Sequence, residues 1–124
     1  MKTLSIILLL ALSGCALMPT AFDATLYDRT VSLATTAKEV HSQCGTPGMQ
    51  SGVEAMNYQV KALMKYTDFA SKSLHEPIGY VDKTIGEMNK IYQKGTPDVA
   101  YCNIKMDIIE REIDLLLTGM GAKQ

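Results

Sequence analysis

The amino-acid sequence predicts an all-α protein, an up-and-down four-helix bundle, and three observations support this class. Apolar residues recur at alternating spacings of three and four along most of the chain, which is the period of one face of an α-helix. No segment alternates apolar and polar residues over a useful length, as a half-buried strand would. The chain has 124 residues, no tryptophan and two phenylalanines, so aliphatic residues and methionine supply the core of a single domain.

The N-terminal segment has the pattern of a secretory signal peptide. Lys2 precedes an apolar run from Leu4 to Leu12, and the small residues Ser13 and Gly14 follow it. This run is much shorter than the about 20 apolar residues that a membrane-spanning helix needs. We therefore expect residues 1–14 to direct export and then to be removed.

The four residues Leu12, Ser13, Gly14 and Cys15 resemble the lipobox of bacterial lipoproteins, and all four positions fit. The resemblance covers only the first fifteen residues. It implies that Cys15 receives a diacylglyceryl thioether and an N-acyl chain, and becomes the first residue of the mature protein. The residue that follows Cys15 is Ala16 and not an aspartate, and in this respect the sequence resembles Gram-negative lipoproteins that are sorted to the outer membrane. Residues 15–22 are then a lipidated tether that holds a domain of residues 23–121 close to the bilayer, facing the periplasm.

Four apolar stripes predict the four helices of this domain. Gly45 and Pro47 end the first helix, and Gly95 ends the third. Thr96 is the predicted N-cap of the fourth helix, with Pro97 in its first position. The stripes run from Leu26 to Cys44, from Val53 to Leu74, from Ile78 to Tyr92 and from Val99 to Met120.

The junction between the second and third helices has two interpretations. Pro77 disfavours helical geometry at Glu76, which predicts a break there. The apolar period nearly continues across the junction, so one helix from Ser51 to Lys94, about 66 Å long, is the alternative.

The cysteines favour the break. After lipidation of Cys15, Cys44 and Cys102 remain in an oxidising compartment. In a folded-back bundle both lie at the same end on neighbouring antiparallel helices, whereas a continuous central helix would separate them far beyond the ~7 Å Cα limit for a disulfide. We therefore predict a break near Pro77 and a Cys44–Cys102 disulfide.

Signatures of catalysis or of cofactor binding are nearly absent from the sequence. No nucleophile elbow, metalloprotease motif or phosphate-binding glycine loop occurs. His41 and Cys44 have a spacing that could bind a metal, but a disulfide would remove the cysteine. The carboxylates of the fourth helix, Asp107, Glu110, Glu112 and Asp114, are typical of a solvated face. We predict no enzyme, cofactor or metal, and the formal net charge of −1 argues against nucleic acid as a partner.

The second helix contains apolar residues that its core stripe does not explain. Tyr58, Tyr66 and Phe69 lie on a separate face, bordered by Lys61 and Lys65. An exposed aromatic row with a rim of lysines is suited to protein recognition, in which tyrosine is enriched. The alternative is that these residues widen the buried face of the helix.

These features together predict a non-catalytic, membrane-anchored envelope lipoprotein that presents an interaction surface to an envelope protein. Short lipoproteins of this kind resemble accessory envelope proteins of bacteria and of their phages. Two alternatives stay open. One is a small-ligand binder with a pocket between the helices lined by Met56, Met88 and Met106. The other is the outer-membrane subunit of a spanin-type phage lysis complex.

Overall fold

The computed structural model describes residues 23–121, which form four α-helices and no strand. These are α1 (Ala24–His41), α2 (Met49–Ala70), α3 (Lys72–Lys94) and α4 (Val99–Gly121). Helix α1 packs against α2 and α4, and α3 also packs against α2 and α4, so that α2 and α4 occupy diagonal corners. The predicted all-α four-helix bundle is thus confirmed. Within this range no helix has the length and apolar character needed to cross a membrane.

The core consists largely of the predicted stripes, although Val99, the first residue of the fourth stripe, is exposed. Each helix turns its stripe inward, and most of the large aliphatic and methionine side chains on these stripes are fully buried. Two threonines in the core keep their hydroxyls satisfied: Thr30 donates to the Leu26 carbonyl at 2.8 Å and Thr67 to the Leu63 carbonyl at 3.0 Å. A buried hydroxyl without such a bond would be costly.

The helices begin and end for local reasons. The Asp23 carboxylate caps α1 by accepting the Leu26 N–H at 3.0 Å. Gly45, with φ of 86°, takes the left-handed conformation in the loop after α1. Asp98 lies directly before α4 and accepts the Tyr101 N–H at 2.8 Å, so the capping role expected of Thr96 belongs to Asp98.

The chain does break between the second and third helices, but at Ser71 and not near Pro77. Ser71 alone separates α2 from α3, and its backbone is non-helical with φ of −148° and ψ of 68°. Pro77 lies inside α3. A proline at this position has no N–H to bond the carbonyl of Ser73, and its ring crowds that carbonyl. Ser73 is exposed, so water can bond its carbonyl instead. The early break also leaves Leu74, a predicted core position, only half-buried.

The bundle has two distinct ends. At one end, the disulfide end, the loop after α1 meets the start of α4. At the other, the N-terminal end, Asp23 contacts Ser71 at the α2–α3 reversal. Cross-helix pairs confirm the antiparallel arrangement, since Lys61 of α2 lies 2.8 Å from Asp82 of α3.

Candidate functional site

The predicted disulfide is present. Cys44 and Cys102 are bonded, with their Cα atoms 5.7 Å apart. Cys102 is fully buried and Cys44 is half-buried against the core. The part of the chain that the structure describes therefore has no free thiol, and the bond ties the end of α1 to the start of α4.

The predicted lipidation site, Cys15, and the tether lie outside the described residues. Asp23, the first residue that the structure describes, accepts hydrogen bonds from three groups. Besides the Leu26 N–H, these are the Tyr66 hydroxyl at 2.8 Å and the Ser71 hydroxyl at 3.3 Å. The bond from Leu26 is the largest of the effects that lower the pKa of Asp23, and the bond to Asp23 is the largest of those that raise the pKa of Tyr66. Residue 23 is thus fixed to both α2 and the reversal that follows it.

The structure divides the predicted aromatic row. Tyr58 is 79% exposed and Phe69 is 90% exposed, so both face outward. Tyr66 is half-buried: its hydroxyl donates to Asp23, and the Arg29 guanidinium lies 5.1 Å from its ring centroid. Tyr66 therefore holds α1 against α2, and the surface it was predicted to share consists of Tyr58 and Phe69.

We call the outward stripe of α2 the α2 face, defined by Tyr58, Ala62, Lys65 and Phe69, all of which are exposed. Lys61 borders it and is held by its ion pair with Asp82. A groove of about 440 Å³ lies on the α3 side of this face. A smaller groove of about 180 Å³ lies on the α1 side, and Tyr58 and Ala62 line both. The α2 face is therefore a ridge between two shallow depressions.

A second apolar surface lies along the seam between α3 and α4 and was missed by the sequence analysis. Its groove measures about 460 Å³ and its apolar lining is Leu74, Pro77, Tyr80, Leu115, Leu116 and Gly119. The signal was present in the sequence, because Ile104, Ile108 and Leu115 repeat at helical spacings of four and seven on the side of α4 opposite its core stripe. The neighbouring charges led us to interpret this side as solvated.

The carboxylate of Glu112 lies half-buried in this seam. It accepts a hydrogen bond from the Thr84 hydroxyl at 2.9 Å, which joins α4 to α3. Burial raises the pKa of Glu112, and the Thr84 bond and the positive charge of Lys105 partly offset that effect. Glu112 therefore acts as a link between the two helices.

A polar cluster joins α1 to α4 near the disulfide. His41 Nδ1 lies 2.9 Å from Glu110 Oε2, and His41 Nε2 lies 3.2 Å from Asn103 Oδ1. His41, Asp107 and Glu110 each offer one ligand atom, and these atoms lie within 4.8 Å of one another. Structural zinc sites use four ligands, and here the histidine and Glu110 already bond to each other across the helix pair.

The methionines of the predicted ligand pocket are core residues. Met56, Met88 and Met106 are fully buried. None of them lines the three grooves described above. In these positions they fill space between the helices, as methionine commonly does.

The fold and these sites define a small all-α bundle, closed by one disulfide, with two separate outward apolar surfaces. No family model, no curated protein and no solved structure matches the chain.

Proposed function

We propose that the protein is a lipid-anchored, non-catalytic envelope protein that binds another protein through the α2 face. The observation that most supports this is the exposure of Tyr58 and Phe69, two large aromatic side chains that the bundle does not use for packing. The lipobox-like residues ending at Cys15 support the anchor.

Burial of the α2 face against a partner would be favourable. Full burial of one large apolar side chain stabilises by about 1.5–3 kcal/mol, and Phe69 and Tyr58 are almost entirely available for it. Lys65 on the ridge and Asp68 beside it carry opposite charges, and charged groups next to apolar ones resemble the polar rim around the apolar centre of protein interfaces. A ridge between two depressions also gives a partner a shape to recognise.

The two histidines and the half-buried Glu110 and Glu112 support a non-catalytic role, because each of them is bonded to another part of the bundle. His41 is bonded to Glu110, and Glu112 to Thr84. His75 Nδ1 lies 3.0 Å from the Thr67 hydroxyl across the α2–α3 hairpin. Each of these groups joins elements of the bundle.

The anchor is tested by metabolic labelling with palmitate in a bacterial host. We expect the label on the wild-type chain and its loss in Cys15→Ser, with a matched release from the membrane fraction. Cys44→Ala is the control, since it removes a cysteine but leaves the lipobox-like residues intact. Label that persists in Cys15→Ser would refute the anchor.

The α2 face is tested by photo-crosslinking in living cells from a benzoylphenylalanine placed at Tyr58. We expect a discrete crosslinked protein that is lost when Phe69→Ser is added. The control is Val31→Ser, which removes an exposed apolar residue on α1, outside the α2 face. Loss of helical circular dichroism in Phe69→Ser, or equal crosslinking with and without Phe69, would refute the role of this face.

A further inference from the structure

The exposed apolar side chains are concentrated on the face formed by α3 and α4. Residues 23–121 expose nine large apolar side chains, and five of them lie on this face. Leu115 is 74% exposed, Tyr80 61% and Ile104 60%. Ile91 and Ile108 complete the set, and the groove beneath Leu115 adds half-buried Leu74 and Pro77. A concentration of exposed apolar side chains on one side of a small protein is typical of an interface.

The outward side of α4 can pair with a second copy of itself that runs in the opposite direction. In chain order it consists of Ile104, Asp107, Ile108, Arg111 and Leu115. When a second α4 lies antiparallel, with the centre between residues 109 and 110, Ile104 of each copy faces Leu115 of the other. Arg111 of each copy then lies level with Ile108 of the other and one residue from its Asp107. Both charges lie on the same flank of the stripe at 100° per residue.

Neither charge forms an ion pair within the described part of the chain, although the Asp107 carboxylate lies within 4.8 Å of ligand atoms of His41 and Glu110. Asp107 and Arg111 are both exposed, and the three ion pairs found in residues 23–121 involve other groups. An arginine stem can cover an apolar neighbour while its guanidinium reaches a carboxylate beyond it. The antiparallel arrangement therefore satisfies two arginines and two aspartates at once.

We propose that the α3–α4 face binds a second copy of this chain, with the two α4 helices antiparallel across a two-fold axis. Such an isologous contact is the commonest route to a dimer. A face two helices wide and 23 residues long measures roughly 20 Å by 34 Å. This is about 700 Å² and close to the ~800 Å² that each partner contributes to a standard interface.

The charges also select the antiparallel orientation over the parallel one. In a parallel, in-register pair the two Arg111 side chains would face each other, and like charges at an interface oppose association. The antiparallel dimer places the two N-terminal ends at opposite ends of its long axis. Eight tether residues span at most about 28 Å, so two anchored copies would reach one bilayer if the dimer lay along it.

The dimer is tested with the full-length mature chain carrying Cys15→Ser, by sedimentation velocity at protein concentrations up to about 100 μM, which resolves dissociation constants in that range. We expect a concentration-dependent dimer. Arg111→Glu alone and Asp107→Lys alone should each weaken it about tenfold, since each places like charges across the interface. The double exchange should restore dimerisation, because it reverses both charges of each pair.

Circular dichroism and the intact disulfide confirm that each variant is folded. The control is Tyr58→Ser with Phe69→Ser, which changes the α2 face and should leave the dimer unaffected. A monomer at all concentrations would overturn the proposal, as would a dimer that Arg111→Glu does not weaken. Failure of the double exchange to restore it would overturn the antiparallel pairing. None of these results depends on Cys15 or on the α2 face, so they are separate from the tests of the proposed function.

Discussion

Loss of the Cys44–Cys102 bond should be the most destabilising single change to the bundle. The bond closes a loop with a sequence separation of 58 residues. In the chain-entropy model a loop of this length stabilises the folded state by about 4 kcal/mol. Small domains have a total stability of about 5–15 kcal/mol, so the bond supplies a large part of it. For a domain of about 100 residues we expect the melting temperature to fall by about 15–30 °C.

The measurement is urea unfolding followed by circular dichroism at 222 nm, on the oxidised chain, the reduced chain and the double variant Cys44→Ala with Cys102→Ala. With an m-value of about 1–2 kcal/mol/M, the unfolding midpoint should fall by about 2–4 M. The reduced chain keeps both sulfur atoms and therefore isolates the effect of the covalent bond. The double alanine variant also loses the buried Cys102 sulfur, so we expect it to be slightly less stable than the reduced chain.

The single variants provide the internal control. Replacement of either cysteine removes the bond, so Cys44→Ala, Cys102→Ala and the double variant should lose similar amounts of stability. The loss in the double variant should therefore be much smaller than the sum of the two single losses. A loss below about 1 kcal/mol on reduction would refute the loop-entropy reasoning, and additive single variants would show that packing of the sulfur atoms, not the bond, is responsible.

Three further predictions concern the backbone and the N-terminal end. Gly45→Ala should destabilise by about 2 kcal/mol, because φ is 86° and a Cβ would lie 2.9 Å from Val99 Cγ2. Gly86→Ala in α3 should stabilise by about 1 kcal/mol, because its Cβ would meet nothing within 4 Å. Thermal unfolding of the two variants tests both expectations. Pro77→Ala should stabilise by about 1 kcal/mol because it restores an N–H to α3, and a lower melting temperature would contradict that. Hydrogen bonding holds the pKa of Asp23 below its ordinary value, so its contribution to the free energy of unfolding is present above about pH 4 and is lost as the pH falls through the folded pKa. The difference in unfolding free energy between wild type and Asp23→Asn, measured in urea, should therefore shrink on acidification. A difference that stays constant with pH would refute this.

The core and the disulfide could be predicted from the sequence because both follow from local periodicity. Leu33 and Ile85 are buried as their helical spacing requires. Once two antiparallel helices are assumed, the spacing also places Cys44 and Cys102 at the same end. These properties depend on the helical repeat, which a single sequence shows directly.

Other features depended on contacts between distant residues and could not be predicted. Tyr66 faces α1 because its hydroxyl donates a hydrogen bond to Asp23, 43 residues away in the sequence. The helix break falls at Ser71, whose hydroxyl bonds to that same carboxylate, while Pro77 is tolerated in the helix. Local sequence rules place the break at Pro77 and not at Ser71, because the residues around Tyr66 and Ser71 give no sign that both side chains bond to Asp23.

The two proposed surfaces lie on different helices of the bundle, so a partner on one does not cover the other. Since α2 and α4 are diagonal in the bundle, a dimer joined through α4 leaves both α2 faces on its outer sides. Such a dimer would engage a membrane-bound partner at two points, which raises the effective concentration for the second contact. Arg111→Glu should therefore lower the yield of crosslinks from position 58, although Arg111 lies outside the α2 face. Restoration of that yield by the added Asp107→Lys would show that dimerisation is responsible. An unchanged yield in Arg111→Glu, in cells where the wild-type chain is dimeric, would show that each α2 face acts alone.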